Sequence, residues 1–220
     1  MMQIIKQIKR IYRRLLSKEA VVVAGLGRCG TTLVHLSLID YGFSPKASIL
    51  LCRFEDVTKF LDGYVYKTHD FPPKFLPNNV KLIFMFGNPL DIVISVTNQI
   101  NNWGREHHKH LGSDLFEENV SLFYKDTLQL HKHFNLWYRQ QSFPFISIKY
   151  EALYKQESLA RLNEFLGFQL TLPPYRKRSS CWSNHPQKER LLETYGDLFN
   201  KVESSQDITI WEANPAKPTI

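Results

Sequence analysis

The stretch Val21–Leu33, VVVAGLGRCGTTL, commits this chain to one local structure before anything else is considered. A continuous β-branched run feeds a glycine loop, and an apolar-periodic segment follows. That order makes a strand–loop–helix unit, whose backbone N–H groups at the helix start can hold a phosphate. Gly25 and Gly30 have the G-x-x-x-x-G spacing of a phosphate loop. Thr31 comes next, where a nucleotide-hydrolysing loop would carry lysine, and the basic residue sits inside the loop as Arg28. The backbone of Gly27, Arg28, Cys29 and Gly30, the Arg28 guanidinium and the hydroxyls of Thr31 and Thr32 are the candidate ligands.

The rest of the chain alternates strands with helices. Val80–Phe86 and Phe145–Lys149 read as buried strands, and Gly63–Lys67 as a shorter one. Helices are expected over Thr31–Tyr41, Phe54–Leu61, from Asn88-Pro89 onward, over most of Phe116–Arg139, over Ser158–Leu166 and over Gln187–Val202. The fold class is therefore α/β: a single domain with a mainly parallel central sheet flanked by helices, P-loop-like at its first turn. With 220 residues, 43% of them hydrophobic, the chain is long enough for one such core. Ligands of these sheets bind beyond the carboxyl ends of the strands.

Residues 1–18 form a separate basic amphipathic helix ahead of the α/β domain at 19–220. Ile4, Ile5, Ile8, Ile11, Tyr12, Leu15 and Leu16 share one face; Lys6, Lys9, Arg10, Arg13 and Arg14 fall largely on the other. The plainer expectation is that the apolar face packs on the domain while the charges are solvated. The alternative is peripheral contact with an anionic membrane surface. A net charge of +7 favours anionic partners, but no aromatic-interleaved or zinc-finger pattern supports nucleic acid. Three cysteines form neither a disulfide framework nor a paired metal-ligand spacing, and no apolar run is long enough to span a bilayer. A reduced, cytoplasmic setting is the expectation, without a metal.

Two further motifs fall where strands end. In Tyr66-Lys-Thr-His69, Lys67 and His69 are two residues apart on an extended segment and are expected on one side. A histidine titrating near neutrality can take a proton from an acceptor, and lysine can stabilise developing negative charge. In Gly87-Asn-Pro-Leu-Asp-Ile-Val-Ile-Ser95, Asn88 caps a helix whose N-terminus can face an anion, and Ser95 lies one turn past Asp91.

Together with Tyr150-Glu-Ala-Leu153, these motifs resemble, in order and spacing, the sulfotransferases that use 3′-phosphoadenosine 5′-phosphosulfate (PAPS). The resemblance covers about Val21 to Phe168. It implies that Arg28, Gly30, Thr31 and Thr32 contact the 5′-phosphosulfate and that Ser95 contacts the 3′-phosphate. It further implies that Tyr150 lies near the adenine and that Lys67 and His69 act at the reacting centre, His69 as general base. The implied reaction moves a sulfuryl group to an acceptor hydroxyl or amine, on a glycan or a small polar molecule. Two departures stand out. Gly87 occupies the position of the family's arginine for the 3′-phosphate, and the late R-K-G element is replaced by Arg176-Lys-Arg178, a candidate source of the missing charge.

Two other readings remain open at this point. A P-loop kinase or NTPase would need a lysine after Gly30 and an acidic strand end holding Mg²⁺; Thr31 and Gly87 stand there instead. A non-catalytic nucleotide-binding module would bind the donor without transfer. His107, His108, His110, His131 and His133 are expected to be an exposed polar stretch, and Phe116, Phe123, Phe134 and Trp137 mostly core.

Overall fold

The computed structural model describes residues 2–45, 52–98, 122–175 and 181–214. Its centre is a six-stranded sheet formed by β1 (Ala20–Gly25), β2 (Ser44–Pro45), β3 (Tyr64–Thr68), β4 (Val80–Phe86), β5 (Phe145–Lys149) and β6 (Ile208–Trp211). Their spatial order is β2-β3-β1-β4-β5-β6, parallel throughout except for β6, which runs antiparallel to β5. β1 and β5 are buried along their whole length and β4 at all but Lys81, as continuous apolar runs covered on both faces must be.

Among the described residues, the α-helices are α1 (Met2–Leu16), α2 (Thr31–Tyr41), α3 (Pro89–Thr97), α4 (Leu130–Trp137), α5 (Gln156–Leu166) and α6 (Lys188–Ser204). Consecutive residues of β3 show how the layers divide, because successive side chains point to opposite faces. Lys67 reaches Thr32 on α2. Tyr66 packs edge-on against Phe60, which continues through Phe54 to Trp137 of α4. Trp137 in turn stacks on Phe84 of β4 at 5.1 Å. Among the described residues, no helix is long and apolar enough to cross a membrane.

Local signals placed several boundaries. α2 ends at Gly42, and α5 at Gly167, whose positive φ of 77° allows its N–H to close on the last helical carbonyls. α3 begins at Asn88, whose side chain accepts from the backbone of Leu90 and Asp91, with proline at the first turn.

Elsewhere tertiary contacts override the pattern. The helix expected over Phe54–Leu61 is a single 3₁₀ turn, Phe54–Asp56. Its first N–H is taken by the Asp70 carboxylate, Leu61 N–H is taken by the Tyr66 hydroxyl, and Val57-Thr58 supplies adjacent β-branched residues. In the described part of the segment Phe116–Arg139, from residue 122 onward, the expected helix begins only at Leu130. The Asp126 carboxylate accepts from the backbone of Leu130 and His131, and Gln129 adopts φ 52°, a left-handed conformation that stops extension backwards. His133 is fully buried, contrary to the expected exposed stretch. Phe123, Phe134 and Trp137 are core. Residues 101–103, 107–110, 116, 176 and 178 lie outside the described residues.

The orientation of α1 is inverted relative to expectation. Its arginine side faces the domain, where the Arg13 guanidinium lies 4.7–4.9 Å from the ring centres of Tyr41, Phe43 and Phe168. Ile8, Ile11, Tyr12, Leu15 and Leu16 are exposed.

Candidate active site

Strand register brings the motifs to one edge. Gly25 pairs with Met85, Ala24 with both Thr68 and Phe84, and Phe86 with Lys149. The carboxyl ends of β1, β3, β4 and β5 are therefore nearly level. The residues just beyond them, Leu26, His69, Gly87 and Tyr150, stand side by side along that edge. β1 has neighbours on both sides whose connections leave in opposite directions, the switch point at which α/β sheets open a crevice.

The glycine loop is shaped from beneath. Cys29 is buried, and its thiol lies within hydrogen-bonding distance of the carbonyls of Leu26 (2.6 Å) and Met85 (3.0 Å), which share its single proton. A Cβ on Gly25 would stand 2.2 Å from the Met85 carbonyl oxygen, and one on Gly30 2.5 Å from the Tyr150 ring. Both positions also have positive φ, so glycine is required by space and by backbone conformation. Arg28 adopts φ 71°, which costs a non-glycine residue about 1–2 kcal/mol. The loop leads into α2, which has no side-chain cap on its first turn. Uncapped N–H groups at a helix start are the donors that an anion would satisfy.

Lys67 and His69 reach opposite ends of this loop. Lys67 is buried and donates to Thr32 Oγ1 at 3.2 Å, where α2 begins; desolvation lowers its pKa from the ordinary lysine value. The alternation that governs Lys67 ends with β3 at Thr68. His69, one residue further, meets the Gly25 carbonyl through Nδ1. A carbonyl only accepts, so Nδ1 carries the proton and Nε2 the lone pair. His69 also lines a crevice of about 10 Å³ with Leu26, Gly27, Ile92, Val96, Leu128 and Leu130, room for one water or one hydroxyl.

Three residues that matter here were not among the candidate site residues of the sequence: His133 was expected to be exposed and Trp137 to be core, and His35 was not singled out. His133 Nε2 lies 3.1 Å from both the His69 and Asp70 carbonyl oxygens, and Trp137 Nε1 donates to Asp70 O at 2.9 Å. The backbone bearing His69 is thus clamped from α4. Burial lowers the His133 pKa to about 4, so it donates as neutral imidazole. His35, on the buried side of α2, is also lowered to about 4, first by burial and then by the charge of Lys67. Its place beside Thr31, Val34 and Leu38 at helical spacing was the available signal.

The third motif departs from the expected anion site. Asn88 itself occupies the N–H groups of Leu90 and Asp91, and the Asp91 carboxylate accepts from Trp182 N at 2.9 Å. Arg28 Nε donates to Ser95 Oγ at 2.6 Å, joining the first motif directly to the third. A Cβ on Gly87 would lie 3.3 Å from both Glu151 carboxylate oxygens and from Tyr150 Cβ. Glu151 also accepts from Asn88 N at 3.4 Å. Among the described residues, no cluster of three or more His, Cys, Asp or Glu side chains is placed to hold a metal ion.

Such an edge can bind an anion at α2 and accept a proton at His69. It is built on a mainly parallel sheet whose phosphate-type loop carries arginine in place of the hydrolytic lysine. A family model for the sulfotransferase domain matches residues 18–210, nearly the whole chain, and the protein belongs to that family. No curated protein matches it closely enough to count as a relative.

Proposed function

We propose that this protein is a PAPS-dependent sulfotransferase acting on an acceptor hydroxyl or amine. The uncapped start of α2 behind the Gly25–Gly30 loop, with buried Lys67 at one end and tautomer-fixed His69 at the other, carries this reading. The donor supplies an activated sulfuryl group. The loop backbone of Gly27, Arg28, Cys29 and Gly30, with Thr31 and Thr32, would hold its 5′-phosphosulfate, and Tyr150 would lie near the adenine. Arg28 and Lys67 offset charge on the sulfuryl oxygens and on the departing 5′-phosphate. His69 Nε2 removes the acceptor proton as the acceptor atom bonds to sulfur. The sulfur–oxygen bond to the 5′-phosphate breaks, and 3′-phosphoadenosine 5′-phosphate leaves. The catalysis is positioning plus electrostatics, with no metal assigned a role.

The 3′-phosphate side is the altered part of the site. Ser95 remains, but Gly87 supplies no cation and Glu151 adds a carboxylate beside it. Arg176 and Arg178 are the proposed replacement. The chain on either side of them is anchored: Tyr175 packs on Tyr154, and Trp182 N binds Asp91 at the first turn of α3. Charge reversal at both arginines should raise the donor KM; an unchanged KM removes that assignment.

The reading as a whole is tested by following labelled sulfate from PAPS into a panel of hydroxyl and amine acceptors. Transfer by the native chain, reduced at least about a hundredfold in His69→Ala with product-nucleotide binding retained, is the expected result. Magnesium-dependent ATP turnover without sulfuryl transfer would instead point to the kinase or NTPase reading.

A further inference from the structure

We propose that α1 is a membrane-docking element that seats its exposed apolar ridge in an anionic lipid surface. Three observations converge. First, Ile8, Ile11 and Leu15, at three- and four-residue spacing, lie opposite Arg13 on the helix and are 56%, 53% and 76% exposed. Tyr12 and Leu16 widen the ridge at 65% and 67%. A contiguous apolar face of this kind is a mark of an interaction surface.

Second, the helix is fixed with that ridge outward. Arg13 is held over Tyr41, Phe43 and Phe168, and Tyr41 and Phe168 stack at 4.1 Å. Only residues 17–19 separate α1 from Ala20 of β1, and Ser17 bonds both to Glu19 O and to Glu19 N. Turning the ridge inward would pull the guanidinium out of its aromatic cage.

Third, charge selects the partner. Residues 1–18 contain six of the chain's 28 lysines and arginines and none of its 21 acidic residues; the remainder is nearly balanced at 22 against 21. The overall basicity of the protein is thus the basicity of this helix. Arg13 is engaged in its aromatic cage; the net positive charge of residues 1–18 draws the helix to anionic headgroups while the acyl boundary receives Ile, Leu and Tyr, the two requirements of an interfacial helix. Nucleic acid would meet the first requirement and leave the ridge in water. A second copy would cover the ridge but bring two sets of six cations together.

The placement has a geometric consequence. α1 enters β1 at its amino end, whereas the loops of the candidate site leave the carboxyl ends. A bilayer under α1 therefore lies on the opposite edge of the sheet and leaves the site open to the aqueous phase.

Co-sedimentation of the full chain with vesicles tests this. The chain should pellet with phosphatidylcholine vesicles containing phosphatidylserine, much less with pure phosphatidylcholine, and less as salt is raised. Ile11→Glu/Leu15→Glu should weaken the partition at least about tenfold, with Leu15→Ser intermediate. Both variants alter exposed positions and should keep the native thermal midpoint. The proposal is overturned if the native chain stays in the supernatant with the anionic vesicles, or if the double variant pellets equally well. It is also overturned if light scattering shows a dimer that the double variant dissociates, since the ridge then belongs to a second copy.

Discussion

His69 owes its orientation to residues more than forty positions away in the chain. The Gly25 carbonyl sets its tautomer, while His133 and Trp137 hold the carbonyls of His69 and Asp70. His133→Phe keeps an aromatic ring in the core but removes the Nε2 donor from the His69 and Asp70 carbonyls, of which Asp70 keeps Trp137. A small displacement of a proton acceptor is costly, so kcat should fall by about ten- to a hundredfold while the donor KM stays within about twofold. Trp137→Phe should be milder, since His133 still serves Asp70. Steady-state kinetics on both variants check this, and an unchanged kcat would mean the clamp serves folding alone. Among the cations, Arg28 and Lys67 differ in kind: Arg28 is exposed on a strained backbone and bonded to Ser95, whereas Lys67 is buried. None of the partners of His69 was legible in the sequence, because each contact joins residues far apart in the chain.

The elements themselves divide by where their information lies. The limits of α2, β4 and β5 could be read directly, and so could the start of α3, because β-branched runs, the Asn88-Pro89 cap and Gly42 act locally. The short 3₁₀ turn at Phe54–Asp56 and the late start of α4 could not. There the Asp70 carboxylate, the Tyr66 hydroxyl and the Asp126 carboxylate capture backbone N–H groups that a helix would have used. β6 escaped notice as well; it joins the edge of β5 through Trp211, which stacks on Phe145 at 5.7 Å and donates to Ser147 Oγ. The glycine loop was the most legible part of the site, and its glycines are the most exacting element. Gly25→Ala meets the Met85 backbone, which cannot swing away, and should destabilise the fold by about 3 kcal/mol or more. Gly30→Ala meets the Tyr150 ring instead, so Tyr150→Ala should recover part of its loss, leaving the backbone strain. Urea unfolding of the two single variants and the Gly30→Ala/Tyr150→Ala double variant gives the comparison; equal losses at both glycines would contradict it.

Across the molecule, two buried histidines couple stability to pH. His35 and His133 are both pushed down to about 4 from an ordinary 6.5 and stay neutral in the fold. Between those values the unfolded chain binds protons that the folded chain does not. Stability is therefore full above about pH 6.5 and falls towards pH 4, by at most about 1.4 kcal/mol per pH unit for each histidine. Urea midpoints measured from pH 7 to pH 5 should decline, and His133→Phe should flatten the slope; a constant midpoint would contradict the burial of both rings. Charge is likewise a property of the whole: the positive excess sits almost entirely before residue 19, so the basicity of the chain says little about the proposed nucleotide site. That site stands or falls on the ligand it prefers. Calorimetric titration with 3′-phosphoadenosine 5′-phosphate, beside ADP and Mg²⁺–ATP, tests this most directly. The account predicts that the 3′-phosphorylated nucleotide binds tightest despite Gly87; no binding, or a preference for Mg²⁺–ATP, would contradict it.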